Sequence, residues 1–264
     1  MKQFRAEFTN NYNTYTFGYA DYALMEHSNE ANALYKNGYL PYSADISLNY
    51  PVFYLARSLR VDLLNFSDSS ENRRVNRKME DIQPELKRIP ANKDITENED
   101  FFKFCLGYTE ERFSNNSMYS DRLKYIFNCG IATDIFSFSK KGETIPFAYV
   151  LTIVCEDTLH FWFSFYDTSF LKDIPVGKWL MWKMIHWAKE NSLRYVFLGT
   201  TYGEKSLYKV RDFNSLEFFD GTFWNNDMAL LKLKCKNDHL NTEADSFKTT
   251  KNANLLLERI LKNN

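Results

Sequence analysis

Asp167 closes an aromatic run, HFWFSFYD (160–167), and is the first residue of this chain that invites a chemical reading. A carboxylate at a strand end can hold an ammonium or guanidinium group through charge-assisted hydrogen bonds. It can equally cap its own turn by accepting from backbone N–H groups. Both readings stand at this point. Lys172 and Gly177 come next, with Pro175 between them, just ahead of a helical pattern. A cation beside a helix N-terminus suits phosphate, although Pro175 removes one N–H donor; a solvated lysine and a turn glycine are the plainer reading. Further on, Tyr208, Lys209 and Arg211 place one aromatic face among cations. That set can stack a base and contact phosphate, or it is scattered surface charge. Upstream, Arg73, Arg74, Arg77 and Lys78 share an arc of about 140° when drawn on a helix. They make either a phosphate-contacting face or an ordinary solvated one.

No Ser–His–Asp or Cys–His pattern is present, and His160 and His186 have neither triad nor metal spacing; both read as structural. The cysteines (Cys105, Cys129, Cys155, Cys235) show no short paired spacing, so they signal neither a zinc site nor a disulfide framework and read as small buried apolar residues. A net charge of −1 argues against an extended basic coat and confines any polyanion contact to a local patch. The polar start MKQFRAEFTN is no secretory signal, and no apolar run is long enough to span a bilayer; the expectation is a cytoplasmic protein with no membrane partner.

The elements that must position these residues run from Phe161 to Trp224. The aromatic run reads as a strand buried on both faces, broken at Asp167, Thr168 and Ser169. A helix follows from about Val176 to Asn191. Val176, Leu180, Met181, Met184, Ile185, Trp187 and Ala188 share one arc; Lys178, Lys183, His186, Lys189 and Glu190 fill the other. Trp179 and Trp182 project from the polar side, and the N-terminal region is expected to pack over them as a seam between domains. RYVFLG is a short apolar strand ending at Gly199.

Before this stretch, a helix is expected from about Glu26 to Lys36, stopped by Asn37-Gly38. YPVFYLARSLRVDLLNF reads as one strand, and Ser69 or Ser70 caps the basic helix, with Val75 and Met79 inward. Residues 81–97, with two prolines, read as a connector. ENEDFFKFCLGYTEERF and SDRLKYIFNCG read as helices, the second capped by Ser120 and stopped by Gly130. Residues 131–167 read as three strands with turns at 140–143 and 156–157. NDMALLKLKCK is expected to be a last strand, and NANLLLERILKNN a short amphipathic helix. The division expected is 1–88 (N-terminal region with the basic helix), 89–236 (the main domain) and 237–264 (polar linker and C-terminal helix).

Two resemblances rest on these residues. WAKENSLRYVFLG is similar to the main helix and following strand of the GNAT acyltransferase superfamily, whose pyrophosphate-loop register falls here on Lys172, Pro175 and Gly177. That resemblance implies an α+β fold: a mixed, mostly antiparallel sheet flanked by helices, here with an N-terminal extension. FYDTSFLKDIPVGKWLMWKMIHWAKENSLRYVFLG with LYKVRDFNSLEFFDGTFW, and earlier SLRVDLLNFSDSSENRRVNRK, resemble arginyl/leucyl-tRNA–protein transferases over about residues 15–80 and 160–225. The matching positions are Tyr166, Asp167, Leu198, Gly199, Tyr208, Lys209, Glu217 and Trp224. Thr168 stands where that family carries proline, and no cysteine precedes Cys105, so an iron–sulfur or haem role is not expected.

The second resemblance implies transfer of an amino acid from charged tRNA to the N-terminal α-amine of a protein or peptide, with no cofactor beyond the aminoacyl-tRNA co-substrate. It implies catalytic roles for Asp167, Tyr166 and Glu217, and substrate binding by Tyr208, Lys209, Arg211, Lys172, Gly177 and Thr200. It implies tRNA binding by Arg73, Arg74, Arg77 and Lys78. The alternatives are an acyl-coenzyme A-dependent N-acyltransferase and a catalytically silent binding module.

Overall fold

The computed structural model describes residues 1–11, 16–113, 118–171 and 174–238. The chain forms two compact units. One comprises Met1–Leu59, Thr200–Tyr208 and the chain from Glu217 on; the other comprises Arg60–Gly199 and Lys209–Leu216. The expected C-terminal helix over 252–264 lies outside the described residues. Among the described residues no helix is long and apolar enough to cross a membrane.

In chain order the elements are β1 (Lys2–Asn11), β2 (Thr16–Leu24), α1 (Ala31–Lys36), β3 (Tyr39–Pro41), β4 (Val52–Leu55), β5 (Ser58–Asp62), α2 (Ser70–Glu80) and β6 (Pro84–Pro90). Then come α3 (Lys93–Thr96), α4 (Glu99–Arg112), α5 (Ser120–Asn128), β7 (Asp134–Lys140), β8 (Pro146–Cys155), β9 (Thr158–Tyr166) and α6 (Val176–Glu190). The chain finishes with β10 (Tyr195–Thr200), α7 (Tyr208–Asp212), β11 (Leu216–Phe219), β12 (Trp224–Asn225) and α8 (Met228–Asn237).

The larger unit is built on strands ordered β5-β10-β9-β8-β7-β6. Strands β6 to β9 pair antiparallel, and β10 joins β9 in parallel. Strand alternation sends Ile135, Leu151 and Phe165 to one face, into a cluster with Phe101 and Cys105 of α4 and Leu123, Ile126 and Phe127 of α5. The neighbouring positions Phe136 and Phe138 meet Trp187 and Trp179 of α6 edge-on, with ring centres 4.7 and 5.3 Å apart. A mixed sheet thus carries helices on both faces, the α+β arrangement the sequence implied.

Several expectations need correction. Residues 81–97 are not a mere connector. ELKRI alternates well enough for an edge strand, and Pro84 and Pro90 sit at the ends of β6, where a missing N–H is tolerated because β7 pairs along one side. The stretch 50–66 is two strands, not one. Asp227, not a strand, begins the segment after Asn226: its carboxylate accepts from the N–H groups of Ala229 and Leu230 and starts α8, whose Leu231 and Cys235 are buried one turn apart. Ser120 is the first residue of α5 rather than its cap, a position taken by Tyr119. Ser69 does cap α2, accepting from Asn72 N–H at 3.1 Å, and Val75 and Met79 face inward as expected.

Trp179 and Trp182 are buried, covered as expected by residues from the first 88 of the chain, although not as a seam between units. Asn76 Oδ1 of α2 accepts from Trp179 Nε1 at 3.3 Å, and Asp68 Oδ1 accepts from Trp182 Nε1 at 2.7 Å. Polar hooks from one neighbouring segment satisfy both indoles, and that segment belongs to the same unit as α6.

In the smaller unit β1-β2-β4-β3 form an antiparallel sheet. Tyr22, Tyr42 and Tyr54 pack edge-on across it. Gly38 ends α1 at φ +84°, and a Cβ there would lie 2.3 Å from the Phe219 ring, so both the backbone and the space demand glycine.

Candidate active site

The site is built where two parallel strands part. The β9–β10 pairing runs through Tyr195↔Thr158, Val196↔Leu159 and Phe197↔His160, while β9 itself continues to Tyr166 beside β8. The carbonyl of Leu198, one residue past the last pair, accepts from Lys209 Nζ at 2.7 Å. Burial brings the Lys209 ammonium down to a pKa of about 8. His160, 2% exposed, is held neutral: burial first, then the Lys209 charge, push it down to about 3. Two basic side chains therefore lie inside the opened strand pair, one titrating near neutrality and the other kept uncharged.

The start of α6 forms the next part. Pro175 precedes the helix, and no side chain caps it. Val176 N–H donates to the Ile174 carbonyl and Trp179 N–H to the Pro175 carbonyl, which leaves the Gly177 and Lys178 N–H groups as donors. Gly177 lies against Tyr166: a Cβ there would come 3.2 Å from the phenol oxygen, so glycine is what lets this helix start approach the end of β9. Tyr166 stacks obliquely on Tyr108 of α4, with ring centres 4.8 Å apart. Burial, and then Tyr166, raise the Tyr108 phenol so that it stays protonated. Thr168 donates to the Glu111 carboxylate, tying the strand end to the last turn of α4. Asp167 is exposed, and its Oδ1 accepts from Ser169 N–H at 2.8 Å. It thus makes the turn-capping bond.

A chain of charges joins two of the predicted clusters. Arg74 on α2 binds Glu71, Glu71 lies 3.4 Å from Lys178 Nζ, Lys178 reaches Asp212 at 3.2 Å, and Asp212 receives Arg211 at 2.9 Å. Lys178 belongs to the first turn of α6, so the basic face of α2 and the cation of α7 flank that turn together. Arg73, Arg74, Arg77, Lys78 and Arg211 are all exposed there. Sequence reasoning named both ends of this chain and missed Glu71, Lys178 and Asp212 between them. Lys178 on the polar side of an otherwise apolar helix was the available signal. Tyr108 had no signal at all.

Lys172 lies outside the described residues. Thr200, Tyr208 and Glu217 fall in the smaller unit, where Tyr208 is exposed and Thr200 and Glu217 are half-buried. Among the described residues no group of three or more His, Cys, Asp or Glu side chains could hold a metal ion.

Residues 132–209, which span β7 to the first residues of α7, match the family model described as the acetyltransferase (GNAT) domain. This part of the chain has the GNAT fold. No curated protein matches the sequence. Among solved structures, the C-terminal domain of a putative lysylphosphatidylglycerol synthetase from Agrobacterium fabrum is 15% identical with a TM-score of 0.40, covering 58% of this chain and 49% of that one. L-PGS from Bacillus licheniformis is 13% identical at TM-score 0.40, covering 65% and 51%. FemX is 10% identical at TM-score 0.47, covering 81% and 73%. The chain spans about half the length of the first two of these structures.

Proposed function

We propose that this GNAT domain moves an aminoacyl group from charged tRNA to the N-terminal α-amine of a protein or peptide. The observation that carries the reading is the exposed basic face Arg73, Arg74, Arg77 and Lys78 of α2, linked through Glu71, Lys178 and Asp212 to Arg211. In a chain of net charge −1, a local basic face of this kind is suited to a polyanionic donor. The resemblance at Tyr166, Asp167, Leu198, Gly199, Tyr208 and Lys209 adds to it.

The chemistry asks little of covalent catalysis. The aminoacyl ester is already activated, and an α-amine of pKa about 7.7–8.0 is partly neutral at pH 7. The amine nitrogen attacks the ester carbon, the carbonyl oxygen becomes an oxyanion, and collapse expels the ribose hydroxyl, which takes the proton the amine gives up. The protein must orient the two partners, worth roughly 7–11 kcal/mol, and donate hydrogen bonds to the oxyanion. Lys209, beside the parted strands, and the Gly177 and Lys178 N–H groups at the start of α6 are the donors assigned to that oxygen. Asp167, exposed at the strand end, is assigned to the incoming ammonium or guanidinium group.

A second reading is favoured by the family model itself: acyl-coenzyme A as donor, its phosphates at the uncapped start of α6. One experiment separates the two. Radiolabelled aminoacyl-tRNA and an acceptor peptide are offered beside acyl-coenzyme A and the same peptide. Label in the peptide from tRNA alone upholds the first reading, and acylation from coenzyme A alone replaces it with the second. Turnover with neither leaves a binding module.

A further inference from the structure

The segment that carries the chain from the end of β10 to α7 is held by a residue outside the candidate active site. Asp238 follows α8 directly. It receives Arg57 through both terminal nitrogens, at 2.9 and 3.0 Å. The same carboxylate accepts from Gly203 N–H at 2.7 Å. Arg57 in turn donates to the Thr201 carbonyl at 3.3 Å, and its guanidinium lies 4.7 Å from the centre of the Tyr202 ring. The Tyr202 hydroxyl accepts from Arg57 N–H at 2.8 Å, and Thr201 N–H donates to the Arg57 carbonyl at 2.9 Å. Cys235, one turn earlier on α8, donates its thiol to the Thr201 carbonyl at 3.6 Å. The Arg57 and Asp238 side chains are only 16% and 18% exposed. Three consecutive residues, Thr201, Tyr202 and Gly203, are thereby tied to one ion pair.

Solvent-facing charge pairs hold little, because long side chains must be ordered to make them. This pair differs: it is bidentate, mostly enclosed, and bonded to the main chain at two separate points. A surface loop so fastened loses the freedom that loops ordinarily keep. We propose that Asp238 is a positioning residue, fixing the segment Thr200–Tyr208 through Arg57 and the Gly203 N–H, and so placing Thr200 and Tyr208 for the donor. The assignment of those two residues rests on the aminoacyl-transfer reading. The chemistry never touches Asp238; it acts through the loop it fastens.

The test uses the full chain with Asp238→Ala and Asp238→Asn, followed by two measurements. Hydrogen exchange across 200–208 is expected to rise at least tenfold in Asp238→Ala and by less in Asp238→Asn, which retains an acceptor for Gly203 N–H. In transfer assays, KM for charged tRNA is expected to rise about tenfold in Asp238→Ala, with kcat within twofold of wild type. A merely structural role would lower the active fraction, and with it the apparent kcat, while leaving KM unchanged. Wild-type exchange across 200–208, or an unchanged KM, overturns the proposal. Should Asp238→Ala fail to fold, Asp238→Asn carries the same two readouts. If the wild type shows no turnover with charged tRNA, the transfer reading fails; the exchange measurement still decides whether Asp238 holds the segment.

Discussion

Two lysines of the larger unit stand in opposite environments. Lys178 lies between the Glu71 and Asp212 carboxylates, whereas Lys209 donates a hydrogen bond to the main-chain carbonyl of Leu198. The first is a counter-ion whose charge is already answered by neighbouring acids. The second is a cation that burial works against, with its pKa down at about 8. The fold thus surrounds one ammonium with carboxylates and buries another against a carbonyl, so two identical side chains hold their protons with different strength.

The sharpest way to break this contrast is to remove each lysine in turn. Lys209→Met is expected to lower kcat by about 10²–10³-fold, the loss typical of an oxyanion donor, while leaving the protein folded. Lys178→Met is expected to spare kcat within about threefold but to cost about 2 kcal/mol in denaturant melts, since Asp212 loses a charged partner. Equal kinetic losses in the two variants would erase the distinction.

Proton linkage gives the next effects. Lys209 has a folded pKa below its unfolded value, so the unfolded chain binds more protons and stability rises with pH between about 8 and 10.4. Lys209→Met is expected to flatten that rise, by roughly 1–3 kcal/mol across the window. His160 works at the acid end with the same sign. Its folded pKa of about 3 lies below the usual 6.5, so stability falls as pH drops from 6.5 toward 3. His160→Gln is expected to remove that part of the acid sensitivity, read as a smaller change in midpoint between pH 7 and pH 4. The smallest effect concerns the exposed cations. Replacing Arg77 or Lys78 with alanine is expected to reduce the slope of log affinity for tRNA against log salt by about 0.7–0.9 for each phosphate no longer neutralised. Slopes unchanged by every such replacement would take the donor away from this face.

How much of this was readable beforehand varied with the kind of signal. The three strands from Asp134 to Tyr166 and the helix Val176–Glu190 were legible because apolar periodicity there is long and uninterrupted. The cap at Ser69 was legible because its side chain acts locally. The failures came where long-range packing decides. The strand Pro84–Pro90 looks like a connector until β7 is beside it, and α8 alternates like a strand until Leu231 and Cys235 find a shared buried face. Trp179 and Trp182 fell on the polar side of a helical projection; that something from the first 88 residues covers them was legible, but not that Asn76 and Asp68 bond the indoles. At the site, Lys209 was named from a family resemblance and its neighbouring cations. Its meaning comes from a carbonyl eleven positions earlier in the chain, which no local pattern encodes.

The packing of Gly38 on Phe219, together with the bond from Trp224 Nε1 to the Lys36 carbonyl at 2.7 Å, bears on how the protein is made. Chains leave the ribosome from the amino end, and the first fifty-nine residues emerge long before the partners that enclose them. The sheet β1-β2-β4-β3 has its strands within that stretch, but Gly38 and the Lys36 carbonyl stay uncovered until Phe219 and Trp224 are synthesised.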